Sequence, residues 1–176
     1  MYATQNDLIE RLTDDQAIAI AQYLTNTLRD EIRVEERPND NKDLVKALNS
    51  ISKKRGEDST LLNENDLYGK DRSLIADLSR TVLHLISNSN NPKLKSELDE
   101  WLKDPPTDET ALIEGVDIFY PMLGISLMGI VFGIKYNRES GFDYDTANAG
   151  SNIQKVVDAV TSFKEKIFSS KKKKNK

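Results

Sequence analysis

The stretch VDIFYPMLGISLMGIVFGIKYNRESGFDYD, residues 116–145, decides how the rest of this chain folds. Positions 118–134 within it are seventeen uncharged residues, in a chain of which 31% is Asp, Glu, Lys or Arg. Three readings compete for them. A membrane span needs about 20 apolar residues to cross a hydrocarbon layer of about 30 Å, so this one is at the short end. Tyr120 suits an interface, and Gly129-x-x-x-Gly133 has the spacing at which membrane helices approach closely. Lys135 and Arg138 follow the segment while Glu109, Glu114 and Asp117 precede it, so the positive-inside rule sends an acidic, folded-looking stretch of about 115 residues across the bilayer with no signal peptide. In the second reading the segment is core. Pro121 and the glycines at 124, 129 and 133 are poor for an isolated helix but suit a short helix that passes into a buried strand. In the third reading the segment is partly covered and docks on a membrane or a protein. The core reading satisfies most elements at once, because every amphipathic helix around it needs an apolar surface to cover.

Working outward, the totals limit the choices further. A chain of 176 residues fits one domain with an appendage and is long enough to bury a self-supporting core. No cysteine means no disulfide framework, thiolate zinc site or cysteine nucleophile, and the single histidine, His84, leaves any metal site to carboxylates. The formal charge of −4 hides an asymmetry: the last six residues, KKKKNK, hold five lysines, which leaves the preceding 170 at −9. An acidic body argues against a nucleic-acid surface, which needs clustered Lys and Arg on the fold itself. The tail reads as a basic, disordered end that also suits weak contact with anionic lipid. The N-terminus lacks the basic and apolar regions of a secretory signal, so the expected compartment is the cytoplasm, with membrane association as the alternative.

The first hundred residues have helix grammar. Thr4 opens a short helix with Leu8, Ile9 and Leu12; Thr13 and Gln16 have the capping-box spacing before a helix of about 18 residues striped by Ala17, Ile20, Ala21, Leu24 and Leu28. A third helix carries Leu44, Val45, Leu48 and Ile51 and stops at Gly56, and residues 57–70 follow as a long loop. A fourth, from Asp71, shows Leu74, Ile75, Leu78, Val82, Leu85 and Ile86; a fifth, capped by Asn91 and Pro92, carries Leu94, Leu98, Trp101 and Leu102. Trp101 reads as core. The prolines of DPPTDET mark a joint, after which GIVFGIKYN and FDYDT, linked by RESG, read as a β-hairpin. Ser151 and Gln154 suggest another capping box, before a helix with Ile153, Val156, Val157, Val160, Phe163 and Ile167 on one face.

Catalytic strings are weak. Asp143-x-Asp145-Thr146 matches the first motif of haloacid-dehalogenase-type phosphatases but lacks the apolar parallel strand before it and the α/β domain after it. The acidic clusters at 39–43 and 63–71 lack the spacing of a calcium loop and read as turns and caps. His84 has no nucleophile or acid arranged near it in sequence.

The expected fold class is therefore mainly α (α+β): five to six amphipathic helices, a C-terminal apolar segment, a small hairpin and a last helix. Its expected parts are a helical body (1–104), a Pro-rich joint (105–110), an apolar unit with hairpin and helix (111–170) and the basic tail (171–176). The expected role is a non-enzymatic accessory protein that binds a protein partner through helical surfaces, with no cofactor and no metal. The alternative is a protein anchored to a membrane by residues 118–134 and the tail. The contact residues in either case are Phe119, Tyr120, Met122, Leu123, Met128, Phe132, Lys171, Lys172, Lys173 and Lys174. In outline the layout resembles the small helical accessory modules of prokaryotic conflict systems, an immunity or accessory factor for example, with no motif that assigns a family.

Overall fold

The computed structural model describes residues 3–107 and 116–174. It is a helical bundle wrapped around one apolar helix. In chain order the elements are α1 (Gln5–Arg11), α2 (Asp14–Glu31), α3 (Asn41–Lys54), α4 (Arg72–Ser87), α5 (Pro92–Lys103), α6 (Phe119–Val131), β1 (Lys135–Asn137), β2 (Gly141–Asp143) and α7 (Ser151–Lys174). Part of the joint, 108–110, and the start of the apolar unit, 111–115, lie outside the described residues.

The helix starts follow local chemistry. Thr4 with Asp7 and Thr13 with Gln16 form reciprocal capping boxes, satisfying backbone donors that the first turn leaves free. Asp40, Asp71 and Asn91 cap α3, α4 and α5 through their side chains. Gly56 ends the α3 region at φ +73, as a left-handed position favours. The long loop at 57–70 contains two short 3-10 helices, Asp58–Thr60 and Glu64–Leu67. One start differs from expectation. Ser151 is already the first residue of α7, and Gln154 N donates to Gly150 O at 3.1 Å, so the Ser151–Gln154 box does not form.

α6 is the hub. It packs on α2 and α4 and also touches α3 and α7. Ile118, Met122, Leu123, Ile125, Leu127 and Met128 are all at most 3% exposed, which makes this helix apolar on every side because it is enclosed on every side. Gly124 permits the closeness: a Cβ there would fall 2.7 Å from Thr25 Oγ1 of α2 and about 3 Å from the Val82 methyls of α4. The amphipathic stripes of α1–α5 and α7 belong to the same continuous core, so the N-terminal and C-terminal segments share one interior. At 1.5 Å per residue, α6 spans about 20 Å against a hydrocarbon thickness of about 30 Å. Among the described residues no helix is long and apolar enough to cross a membrane.

The chain leaves α6 through Gly133 (φ +91) into an antiparallel hairpin pairing Lys135 with Asp143, Tyr136 with Phe142 and Asn137 with Gly141. The Tyr136 and Phe142 rings meet edge to face at 5.9 Å. One face of α3 clamps the hairpin with residues at four-residue spacing: Lys46 Nζ donates to Arg138 O, Ser50 Oγ accepts from Phe142 N, and Lys54 Nζ donates to Asp143 and to Tyr144 O. Gly141 sits at φ +81, where an added Cβ would meet Lys46 O and Ser50 Oγ at 2.8 Å. Gly141→Ala is therefore expected to cost about 1–3 kcal/mol from backbone strain and overlap, read as a lower urea midpoint with unchanged slope.

The basic tail was expected to be disordered from residue 171. It instead continues α7 to Lys174. The physical reason lies at Lys171, whose ammonium pairs with the buried Asp66 carboxylate and lies 5.7 Å from the Phe168 ring centre. Asp66 also accepts from Asn63 N at 2.9 Å, so the last turns of α7 are tied to the 64–67 turn.

Candidate functional site

The expected contact residues do not form one surface. Met122, Leu123 and Met128 are interior and offer nothing to a partner or a bilayer in this conformation, because α2, α3, α4 and α7 already cover α6. Phe119 and Tyr120 are half-buried at the start of α6, ring to ring at 5.6 Å. Phe132 is half-buried at its other end, where it lines a groove with Val131, Asn90, Asn91 and Asn152. Lys171 is engaged with Asp66, while Lys172 and Lys173 are exposed on the far end of α7. Lys174 is the last helical residue.

The catalytic-looking groups have structural partners. Lys54 holds the Asp143 carboxyl below its usual range, and the Ala147 backbone and Asn148 amide do the same to Asp145. His84 reaches Asn6 with Nδ1 (3.1 Å) and Glu10 with Nε2 (2.7 Å), linking α4 to α1. Among the described residues no group of three or more His, Cys, Asp or Glu side chains is placed to hold a metal.

Two features escaped the sequence reading. The first is Lys164, 2% exposed inside α7. Its ammonium donates to Leu48 O (3.1 Å), Asn49 Oδ1 (3.4 Å) and Ser52 Oγ near the end of α3, beside a cavity of about 100 Å³ lined also by Glu57, Thr60, Thr161 and Glu165. Burial pushes its pKa down to about 8, against a smaller upward pull from Glu57. The signal was present: 164 lies four residues after Val160 and seven after Val157, on the apolar stripe itself.

The second is an aromatic face between α2 and α5. Tyr23 is 50% exposed, one of three large hydrophobic residues so open to solvent among those described. Its ring meets the half-buried Trp101 edge to face at 5.2 Å. Trp101, expected in the core, packs against the core on one side and carries this surface on the other. Its neighbours on the same face of α5 are Lys93 and Glu97, with Asp104 following as the C-cap, and those of Tyr23 on α2 are Thr27 and Asp30. Lys93 pairs across the helices with Glu31. The sequence showed Tyr23 lying off the α2 stripe, but only the packing of α5 brings Trp101 against it.

No protein-family model matches this chain, and no curated protein or solved structure is significantly similar to it.

Proposed function

We propose that this protein is a non-enzymatic interaction module that docks a protein partner through the α2–α5 face. The observation that carries the reading is the exposed Tyr23–Trp101 pair. Tyr and Trp supply large contact area at little entropic cost and dominate binding hot spots, whereas a fold without a partner gains little from leaving them open. The reaction-capable groups elsewhere are tied into the fold, so the docking face is the least accounted-for feature of the surface. The membrane-anchor alternative draws less support, because Met122, Leu123 and Met128 are interior, Phe119, Tyr120 and Phe132 are half-buried, and α6 spans about 20 Å.

A photo-crosslinking amino acid (p-benzoylphenylalanine) at position 27, one turn from Tyr23, tests the reading in native extract, with position 139 on the hairpin as control. A discrete adduct at 27, absent at 139, is expected, and Trp101→Ala weakens the association roughly 30-fold without unfolding the protein. Equal labelling at both positions, or no effect of Trp101→Ala, overturns the reading.

A further inference from the structure

We propose that the segment docking on the α2–α5 face is cationic: a Lys/Arg-rich stretch of the partner protein whose side chains lie over Trp101 and Tyr23 and pair with Glu97 and Asp104. The inference rests on the interaction-module reading and adds the chemistry of the partner to it.

Charge is the first argument. Near the two rings in sequence stand Glu97 on α5, Asp104 at the C-cap of α5, and Asp30 and Glu31 on α2; Lys93 is engaged by Glu31, and Arg29 reaches Asp30 at 3.8 Å. Glu97 and Asp104 make no ion pair among the described residues. The Glu97 oxygen Oε2 is enclosed and has no hydrogen-bond partner there either. A neutral or acidic segment closing over this face would strip water from the exposed Asp104 carboxylate and from the open side of Glu97, which shares Lys93 with Glu31; an opposing cation returns that cost.

The aromatic pair is the second argument. A ring face attracts ammonium and guanidinium groups, Trp best of all, and the fold already uses the contact twice: Lys54 lies 4.9 Å from the Tyr144 ring centre and Lys171 5.7 Å from that of Phe168. Carboxylates flanking exposed rings are what such a side chain recognises, with the stem on the ring and the head on the acid. The third is the field of the molecule. The whole chain carries −4, and the 170 residues before the terminal lysines −9, so the body away from the end of α7 draws in cationic segments and repels acidic ones.

The test uses the full chain carrying the crosslinker at position 27, with the crosslinked peptide sequenced by mass spectrometry. The expected adduct maps to a segment of another protein with net positive charge. Its yield falls at least tenfold in the Glu97→Lys/Asp104→Lys variant and severalfold as salt rises from about 50 to about 300 mM. Should the reversed pair fail to fold, Glu97→Gln/Asp104→Asn carries the comparison, with a smaller loss expected. An adduct that maps to a neutral or acidic segment, or that survives charge reversal and salt undiminished, overturns the cationic partner while leaving the docking face standing. An adduct between two copies of this chain through their acidic bodies overturns it as well. No adduct at position 27 removes the docking reading itself, and this inference with it.

Discussion

Leu127→Ala is expected to lower the unfolding free energy by about 2–5 kcal/mol, and the melting temperature by roughly 5–15 °C. Leu127 is 0% exposed at the centre of α6, where helices on several sides touch the same segment. Truncation there removes transfer free energy and leaves a cavity that no single neighbour can collapse to fill. Total stabilities of 5–15 kcal/mol make this a large fraction of the whole. Urea titration followed by circular dichroism reads the effect. If residues 118–134 were instead an anchor held off the body, the same truncation would leave the melting of the helical body unchanged, and that result would refute the packing described above.

The second large effect belongs to Lys164. Its pKa of about 8 in the folded protein lies below the ordinary lysine value of 10.5, so between these limits the unfolded chain binds the proton that the folded chain has lost. Stability therefore rises with pH through that window, by about 3 kcal/mol if the full difference is expressed. Tyr136 opposes this at the upper end. Burial, with the Asp43 charge adding to it, pushes its hydroxyl up to about 12, so above its ordinary value of 10 the folded protein holds the extra proton and stability falls. The expected profile climbs from pH 8 to a maximum near pH 10. Lys164→Met flattens the climb and leaves stability at pH 7 equal to or above that of the parent. The reason is that two of the three acceptors keep other donors, Asn49 Oδ1 receiving Leu62 N at 2.8 Å and Leu48 O remaining in the α3 ladder, and only the Ser52 hydroxyl loses its donor while the cost of burying a charge is removed. A profile with no rise between pH 8 and 10 in the parent chain would show that Lys164 is not buried as described.

How much of this could be read beforehand depended on the kind of signal. Helix starts at Thr4, Thr13, Asp71 and Asn91 were legible because capping is local chemistry written within four residues. The fate of 118–134 was legible for a different reason. Pro121, the spaced glycines and the period-two pattern after them outweighed bare hydropathy, and the segment is a buried helix leading into a hairpin; the strand that follows, Lys135–Asn137, is mostly exposed and not the buried strand expected. Neither the order of the tail nor the exposed Tyr23–Trp101 pair could be read, because each depends on residues far apart in the chain. Lys171 is ordered by Asp66, a hundred residues earlier, and Tyr23 acquires its partner only when α5 packs beside α2. Of the contact residues expected from sequence, Met122, Leu123 and Met128 are interior for a related reason: apolar character marks what is able to be buried, and here α2 and α4 bury them.

The claim on which the rest depends is that α6 is interior, which is what turns the proposed docking surface to the α2–α5 face. Hydrogen–deuterium exchange of the amides at 119–131, with and without anionic phospholipid vesicles, tests it most directly. The prediction is exchange limited by global unfolding, the slowest in the chain, and unaltered by vesicles. Fast exchange of α6 in the free protein, or a change in its protection confined to the vesicle sample, would contradict it.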